Sequence, residues 1–228
     1  MPELADRLAA LRGRIATACA AAGRDPAGVA LLAVSKTFPL EALREAFEAG
    51  QRIFGESRQQ EAAPKIAAMP AGIDWHFIGG LQRNKVRKVL ADFACIHSVD
   101  SLRLAEHLDR VAGEEGKRPR VYLEVNVAGE ASKGGFPPDE LLAAAEGLPA
   151  LRNLELAGLM AIPPEGADGA RHWFARTREL RDQLAARSGL SLPGLSMGMS
   201  SDFEAAVLEG STIVRVGSAL FGNRSYPV

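Results

Sequence analysis

A closed (β/α)8 barrel, in the α/β class, is the fold this sequence predicts, and three observations predict it. Eight short apolar runs alternate with helical segments along 228 residues. No hairpin turn of the Asn-Gly type joins consecutive runs, and strands separated by helices pair in parallel through crossovers. No linker rich in Pro, Gly or Ser divides the chain, so one domain over residues 1–228 is expected, a length that eight such units fill.

Residues 3–22 carry Leu4, Leu8, Leu11, Ile15 and Ala18 at helical spacing before Gly23, which predicts an amphipathic helix ahead of the barrel. The first strand is 29–36, an unbroken apolar run from Val29 to Val34 leading into Ser35 and Lys36 and stopped by Pro39. Such a run, bounded by breakers, reads as a strand buried on both faces. A helix over 40–49 follows, closed by Gly50. Strand two, 52–57, leads to a helix that Pro64 is expected to interrupt. Strand three, 75–80, precedes a basic helix over 82–90.

Strand four, near 95–99, meets Asp100 and Ser101, both good caps for a helix over 102–112. Strand five is 121–127, and its helix starts after Pro137-Pro138. Strand six, 156–162, stops at Pro163-Pro164 before a long helix over 168–187. Strand seven is short, 195–199, with a helix over 202–209, and strand eight is 212–218.

Lys36 is the residue around which function is argued. In a parallel barrel, chemistry gathers at the carboxyl ends of the strands. By the two-residue period Lys36 shares a face with Leu32 and Val34 and points into the space they enclose. Desolvation there lowers an amine's pKa and favours the neutral nucleophile that Schiff-base chemistry uses. Taken alone, the stretch also fits a lysine that snorkels its head to solvent.

Phosphate sites in this fold form at the loops after strands seven and eight. Ser200 follows strand seven, Ser201-Asp202-Phe203-Glu204 has the spacing of a capping box, and Gly217-Ser218 stands at the end of strand eight. Arg215 lies inside strand eight between Val214 and Val216. A buried guanidinium needs a partner, which is either a strand carboxylate such as Glu124 or a bound ligand.

Composition excludes several classes. Lys+Arg 27 against Asp+Glu 28 leave a net charge of −1, so no overall basic field draws the chain to nucleic acid or anionic lipid. Two isolated cysteines, Cys19 and Cys95, argue against a disulfide framework or a metal cluster. His97, His107 and His172 fall on separate elements without metal-ligand spacing, and His76 reads as a hydrogen-bonded core or rim histidine. No metal site is expected. With no signal-peptide pattern at the N-terminus and no apolar span long enough for a bilayer, the expected location is the cytoplasm.

The chain resembles the pyridoxal-phosphate homeostasis proteins, small single-domain relatives of the alanine racemase barrel. The resemblance rests on Leu32-Ala33-Val34-Ser35-Lys36, Phe54-Gly55-Glu56, Trp75-His76-Phe77-Ile78-Gly79 and Leu81-Gln82-Arg83-Asn84-Lys85. It continues in Val125-Asn126-Val127, Gly158-Leu159-Met160-Ala161-Ile162-Pro163, Ser196-Met197-Gly198-Met199-Ser200 and Val214-Arg215-Val216-Gly217, nearly the whole chain. It implies a barrel of the alanine racemase N-terminal-domain type and a bound pyridoxal 5′-phosphate (PLP), held as a Schiff base on Lys36. By the same resemblance Ser200, Gly217 and Ser218 hold the phosphate, Arg215 faces the pyridine nitrogen, Ile78 and Met197 line the ring pocket, and Lys133 takes part in cofactor exchange. Ser57-Arg58 stands where the family usually has Asn-Tyr, so the contact expected from strand two falls to Ser57 or is lost.

The resemblance implies a carrier that buffers PLP and hands it to apo-enzymes, without a robust catalytic activity. The residues agree. An arginine at the ring nitrogen leaves the ring a poor electron sink, and neither Tyr122 in strand five nor Tyr226 in the tail is placed as the second base of a racemase. A weak amino-acid racemase is the first alternative, and a cofactor-free Schiff-base aldolase acting through Lys36 is the second. Without the second domain of the full-length racemases, a monomer is expected.

Overall fold

Alternation along the strands sorts the side chains into two apolar layers, and the barrel follows from that sorting. In the computed structural model, which describes residues 3–164 and 167–222, Leu31, Ala33, Phe54, Phe77, Leu123 and Val214 pack outward against the helices. Their neighbours Leu32, Cys95, Tyr122, Met160 and Ile213 form a separate inner cluster. Two buried faces are what a parallel sheet wrapped in helices requires.

The eight strands are β1 (Ala30–Val34), β2 (Ile53–Glu56), β3 (Asp74–Phe77), β4 (Cys95–Val99), β5 (Arg120–Glu124), β6 (Glu155–Met160), β7 (Gly194–Ser196) and β8 (Ile213–Val216). They close in sequence order. The seam between β1 and β8 runs in parallel register from Ala30 opposite Ile213 to Ala33 opposite Val216. The helices are α1 (Leu4–Ala21), α2 (Leu40–Glu48), α3 (Gln59–Ala68), α4 (Val86–Asp92), α5 (Leu102–Glu114), α6 (Pro138–Ala143), α7 (Ala167–Ser188), α8 (Phe203–Leu208) and α9 (Ser218–Phe221). The expected (β/α)8 barrel with an N-terminal helix is therefore the observed fold. The α1 helix and the turn after it are pinned to the end of the chain. Arg7 donates to Leu220 O at 2.6 Å, and Arg24 donates to Val207 O and Ser211 O at 2.5 and 2.8 Å.

Several local expectations are corrected. The α3 helix runs through Pro64 instead of breaking there. Ala62 is buried, and Lys65 is tied to Ser35 O and Glu56 Oε1 at 3.0 and 2.9 Å, so tertiary contacts hold the helix on both sides of the proline. The basic helix opens as a 3-10 turn over Arg83–Lys85 before α4 begins. The capping box at 201–204 does not form. Asp202 is the N-cap residue, and its Oδ1 accepts from Met199 N at 2.6 Å, so the carboxylate braces the loop before the helix. The short α9 has no counterpart in the sequence reading. Ser101 caps α5 as expected, accepting from Leu104 N.

Candidate functional site at the carboxyl end of the barrel

Lys36 lies two residues past the end of β1, half-buried, at the mouth of the barrel. The residue before it is anchored on the outer side. Ser35 N donates to Gly55 O at 3.0 Å and Ser35 Oγ donates to Glu56 Oε1 at 2.7 Å. With Ser35 turned outward, Lys36 is turned in. The next residue, Thr37, has φ +69°, a conformation costly for a β-branched residue, and Phe38 N closes the turn onto Ser35 O. Such strain, of about 1–3 kcal/mol, persists where the surroundings fix the backbone and gathers at functional turns.

Lys36 opens onto a cavity of about 530 Å³, within the range of small-ligand sites. Ser200, Ser201, Gly217 and Ser218 form one side of it; Ile78, Met160, Met199 and Ile162 supply apolar walls; and Arg215 and His97 reach it from below. Ser200 Oγ accepts from Ala219 N at 3.3 Å, which joins the loop after β7 to the start of α9. A Cβ placed on Gly217 would meet nothing nearer than Val34 at 3.5 Å. Crowding by the protein therefore does not require glycine there, and the room its absent side chain leaves is room beside the cavity.

Arg215 is 5% exposed. Its Nη1 donates to Ser196 O at 2.6 Å and to Ser196 Oγ at 2.8 Å, and its Nη2 donates to Ala161 O at 3.1 Å. Among the described residues no carboxylate lies within ion-pair distance of it. The carboxylate pairing with Glu124 is thus replaced by carbonyl and hydroxyl contacts, and Glu124 acts only from further away. Burial lowers the Arg215 pKa to about 10 against the pull of Glu124 and Asp202, so the group keeps its charge at neutral pH. Burial also raises the Glu124 carboxyl above its ordinary value, with Asp100 adding to the rise and Arg215 opposing it.

Of the residues singled out from sequence, Lys36, Ile78, Ser200, Arg215, Gly217 and Ser218 converge on this cavity. Met197 does not. Ser196 faces inward to Arg215, so the alternation of the strand turns Met197 outward into the helix-facing layer, where it is fully buried. Gly198, at φ +93°, resets the direction and Met199 takes the lining position. Ser57 does not line the cavity either. Its backbone is so close to Gly79 that a Cβ on that glycine would fall 2.0 Å from Ser57 O. Lys133 reaches across to Pro163 O at 2.9 Å and pairs with Glu130, beside a smaller hollow of about 210 Å³ that shares Ile162 with the main cavity. Tyr122 stacks on His97 at 4.7 Å beneath the cavity, and burial pushes its pKa up to about 12. Tyr226 lies outside the described residues.

Sequence reasoning missed how the interior histidines meet. His76, Cys95 and His97 fall on β3 and β4, and their side-chain donor atoms lie within 4.8 Å of one another. His76 and His97 are 21 residues apart, and only the pairing of His76 with Cys95 in register brings them together. The two-residue period, which puts His76, Ile78, Cys95 and His97 on inward faces, was the available signal.

Residues 7–225 match the family described as alanine racemase, N-terminal domain. A pyridoxal phosphate homeostasis protein of Pseudomonas aeruginosa is 50% identical, with 99% of this chain and 98% of that protein covered. Proteins of the same name from Aquifex aeolicus and Escherichia coli are 43% and 42% identical, covering 98% and 99% of their lengths and 97% and 99% of this chain. Among solved structures, PipY of Synechococcus elongatus is 44% identical and covers 96% of this chain and 100% of its own. The TM-score is 0.87 for PipY without PLP and 0.85 for PipY with PLP bound. An alanine racemase of Clostridium difficile, 14% identical with a TM-score of 0.72, shares the fold over 57% of its chain.

Proposed function

Because the chain belongs to the pyridoxal phosphate homeostasis protein family, within the alanine racemase N-terminal domain family, we propose that it binds PLP in the Lys36 cavity, buffers it and hands it on. The observation that carries the reading is that one cavity receives a lysine from the end of β1, an arginine from β8, and serines and a glycine from the loops after β7 and β8. A lysine opposite a serine- and glycine-lined seat fits an aldehyde that also carries a phosphate.

When bound, PLP would supply an aldehyde suited to Schiff-base chemistry with the Lys36 amine. The chain's own residues do the rest. Ser200, Gly217 and Ser218, which line the cavity, would hold the phosphate, where backbone can approach closely beside Gly217. Ile78 and Met199 pack the ring from the apolar walls. Arg215 offers donors alone to a ring nitrogen and does not protonate it, which keeps the ring a weak electron sink. Tyr122 and His97, the groups nearest to a base role, are already engaged beneath the cavity by ring stacking and by Ser196. These arrangements favour storage over turnover.

The wider reading is a monomer working in the cytoplasm and delivering PLP to apo-enzymes. Among the described residues Ile162, at the cavity mouth, is the large apolar residue left exposed, at 39%, and no described helix is long and apolar enough to cross a membrane.

The test is the visible spectrum of the PLP-treated protein with borohydride trapping and peptide mapping. The adduct is expected on Lys36 and absent from Lys36→Ala; an adduct persisting on another lysine would refute the assignment. Incubation with single L-amino acids is expected to yield no appreciable D-isomer, and robust conversion would replace the carrier reading with a racemase.

A further inference from the structure

A file of hydrogen bonds runs from Arg215 down the inside of the barrel to the amino ends of the strands. Arg215 Nη1 donates to Ser196 Oγ at 2.8 Å, and Ser196 Oγ lies 2.8 Å from His97 Nδ1. His97 Nε2 lies 2.8 Å from His76 Nδ1, and His76 Nε2 lies 3.1 Å from Asp74 Oδ2. Asp74 also accepts from Arg120. Ser196, His97 and His76 are at most 1% exposed.

The positions of the hydrogens follow from the two ends. Arg215 can only donate, so Ser196 accepts from it and keeps its own hydrogen for His97 Nδ1. A neutral His97 accepting at Nδ1 must donate from Nε2 to His76 Nδ1. A neutral His76 accepting there must donate from Nε2 to Asp74, whose carboxylate can only accept. Reading upward from Asp74 gives the same order, because the carboxylate, at 3.1 Å, is nearer to His76 Nε2 than the Arg120 guanidinium at 3.4 Å. Reversal would aim two donors at Ser196 Oγ and leave its buried hydrogen without an acceptor among the described residues.

We propose that Ser196, His97 and His76 form a polarised hydrogen-bond relay, both imidazoles neutral with the proton on Nε2, and that through Ser196 it positions Arg215 at the floor of the cavity. The inference goes beyond the PLP reading, because it concerns hydrogens within the apoprotein and stands whatever fills the cavity. The rival use of these groups is a metal centre of His76, Cys95 and His97. The two facing ring nitrogens are 2.8 Å apart, at hydrogen-bond separation, whereas two nitrogens on tetrahedral zinc stand about 3.3 Å apart. Burial also raises the Cys95 thiol to about 12, and Arg120 stands 3.4 Å from His76 Nε2, neither of which favours a divalent cation.

The experiment is two-bond nitrogen–proton correlation NMR on the full-length apoprotein labelled in histidine, at pH 7, with His107→Gln and His172→Gln to remove the other two imidazoles. Both remaining rings are expected as the neutral Nε2–H tautomer, unchanged by added zinc. An Nδ1–H tautomer at His97, a doubly protonated His76, or loss of the Nε2–H signals on adding zinc would overturn the relay. The positioning role is read separately from hydrogen exchange of the Arg215 Nη protons. Ser196→Ala should speed that exchange more than tenfold and Ser196→Thr, which restores a hydroxyl, should slow it again. Equal rates in all three proteins would mean that Ser196 O and Ala161 O alone hold the guanidinium.

Discussion

His97→Gln should remove about 1.3 kcal/mol of the stability loss that mild acid causes in this protein. His97 is fully buried, and burial, reinforced by His76, Arg215 and Arg120, holds its pKa well below the ordinary value of 6.5. The folded state therefore keeps the ring neutral while the unfolded chain binds a proton below pH 6.5, so the unfolded state gains protons and stability falls as pH falls. For one such group the loss between pH 7 and 5.5 is about 1.3 kcal/mol, since each unit below the unfolded pKa contributes about 1.4 kcal/mol. In a chain of this size that is a drop in Tm of about 3–5 °C. The assay is urea unfolding at both pH values for wild type and variant. The variant starts lower at pH 7 because it loses buried hydrogen bonds, but its loss across the interval should be smaller than that of wild type by about 1.3 kcal/mol. If the two proteins lose equal stability between pH 7 and 5.5, His97 is not the group that acid attacks.

Burial pulls the Asp74 pKa upward, but His76 and Arg120 beside it prevail and hold it at about 2 against an ordinary 3.8. Its contribution is complete above pH 3.8 and is lost as pH falls through 2; discounted for partial exposure, Asp74→Asn should cost about 1 kcal/mol at pH 7, and an unchanged urea midpoint would contradict this. Gly198→Ala places a methyl at φ +93° with its Cβ 2.6 Å from Ala206 Cβ and 2.9 Å from Phe203 Cα, so thermal unfolding should report a loss of about 2–3 kcal/mol, and a Tm within 2 °C of wild type would show that the turn can relax. Ser200→Ala removes a hydroxyl from the proposed phosphate seat and should weaken PLP retention about tenfold by equilibrium dialysis, the effect of one hydrogen bond to a charged group; equal affinity would move the seat elsewhere.

The order of elements was legible because its causes are local. Apolar runs of strand length, glycines at helix ends and the Ser101 cap act within a few residues of one another. Pro64 shows where local reasoning stops. Its ring opposes a helix, but buried Ala62 and the tie from Lys65 to Glu56 and Ser35 come from another part of the chain and prevail. The missing capping box has a similar origin, with Asp202 engaged by Met199 N.

At the site, Ile78 was carried by the family resemblance, while the sequence pattern reached the barrel, the inward direction of Lys36, the place of Arg215 within strand eight, and Ser200, Gly217 and Ser218 at the ends of the last two strands. These follow from a period of two and from which strand ends carry polar residues. Tertiary structure alone decided that Met199 and not Met197 meets the cavity, because a left-handed glycine between them reverses the alternation. It alone decided that Arg215 is satisfied by Ser196 and Ala161 rather than by Glu124, and that His76, His97 and Asp74 stand in line beneath it. Contacts of that kind depend on the closure and register of eight strands, to within a hydrogen-bond length, and no single segment of sequence holds that information.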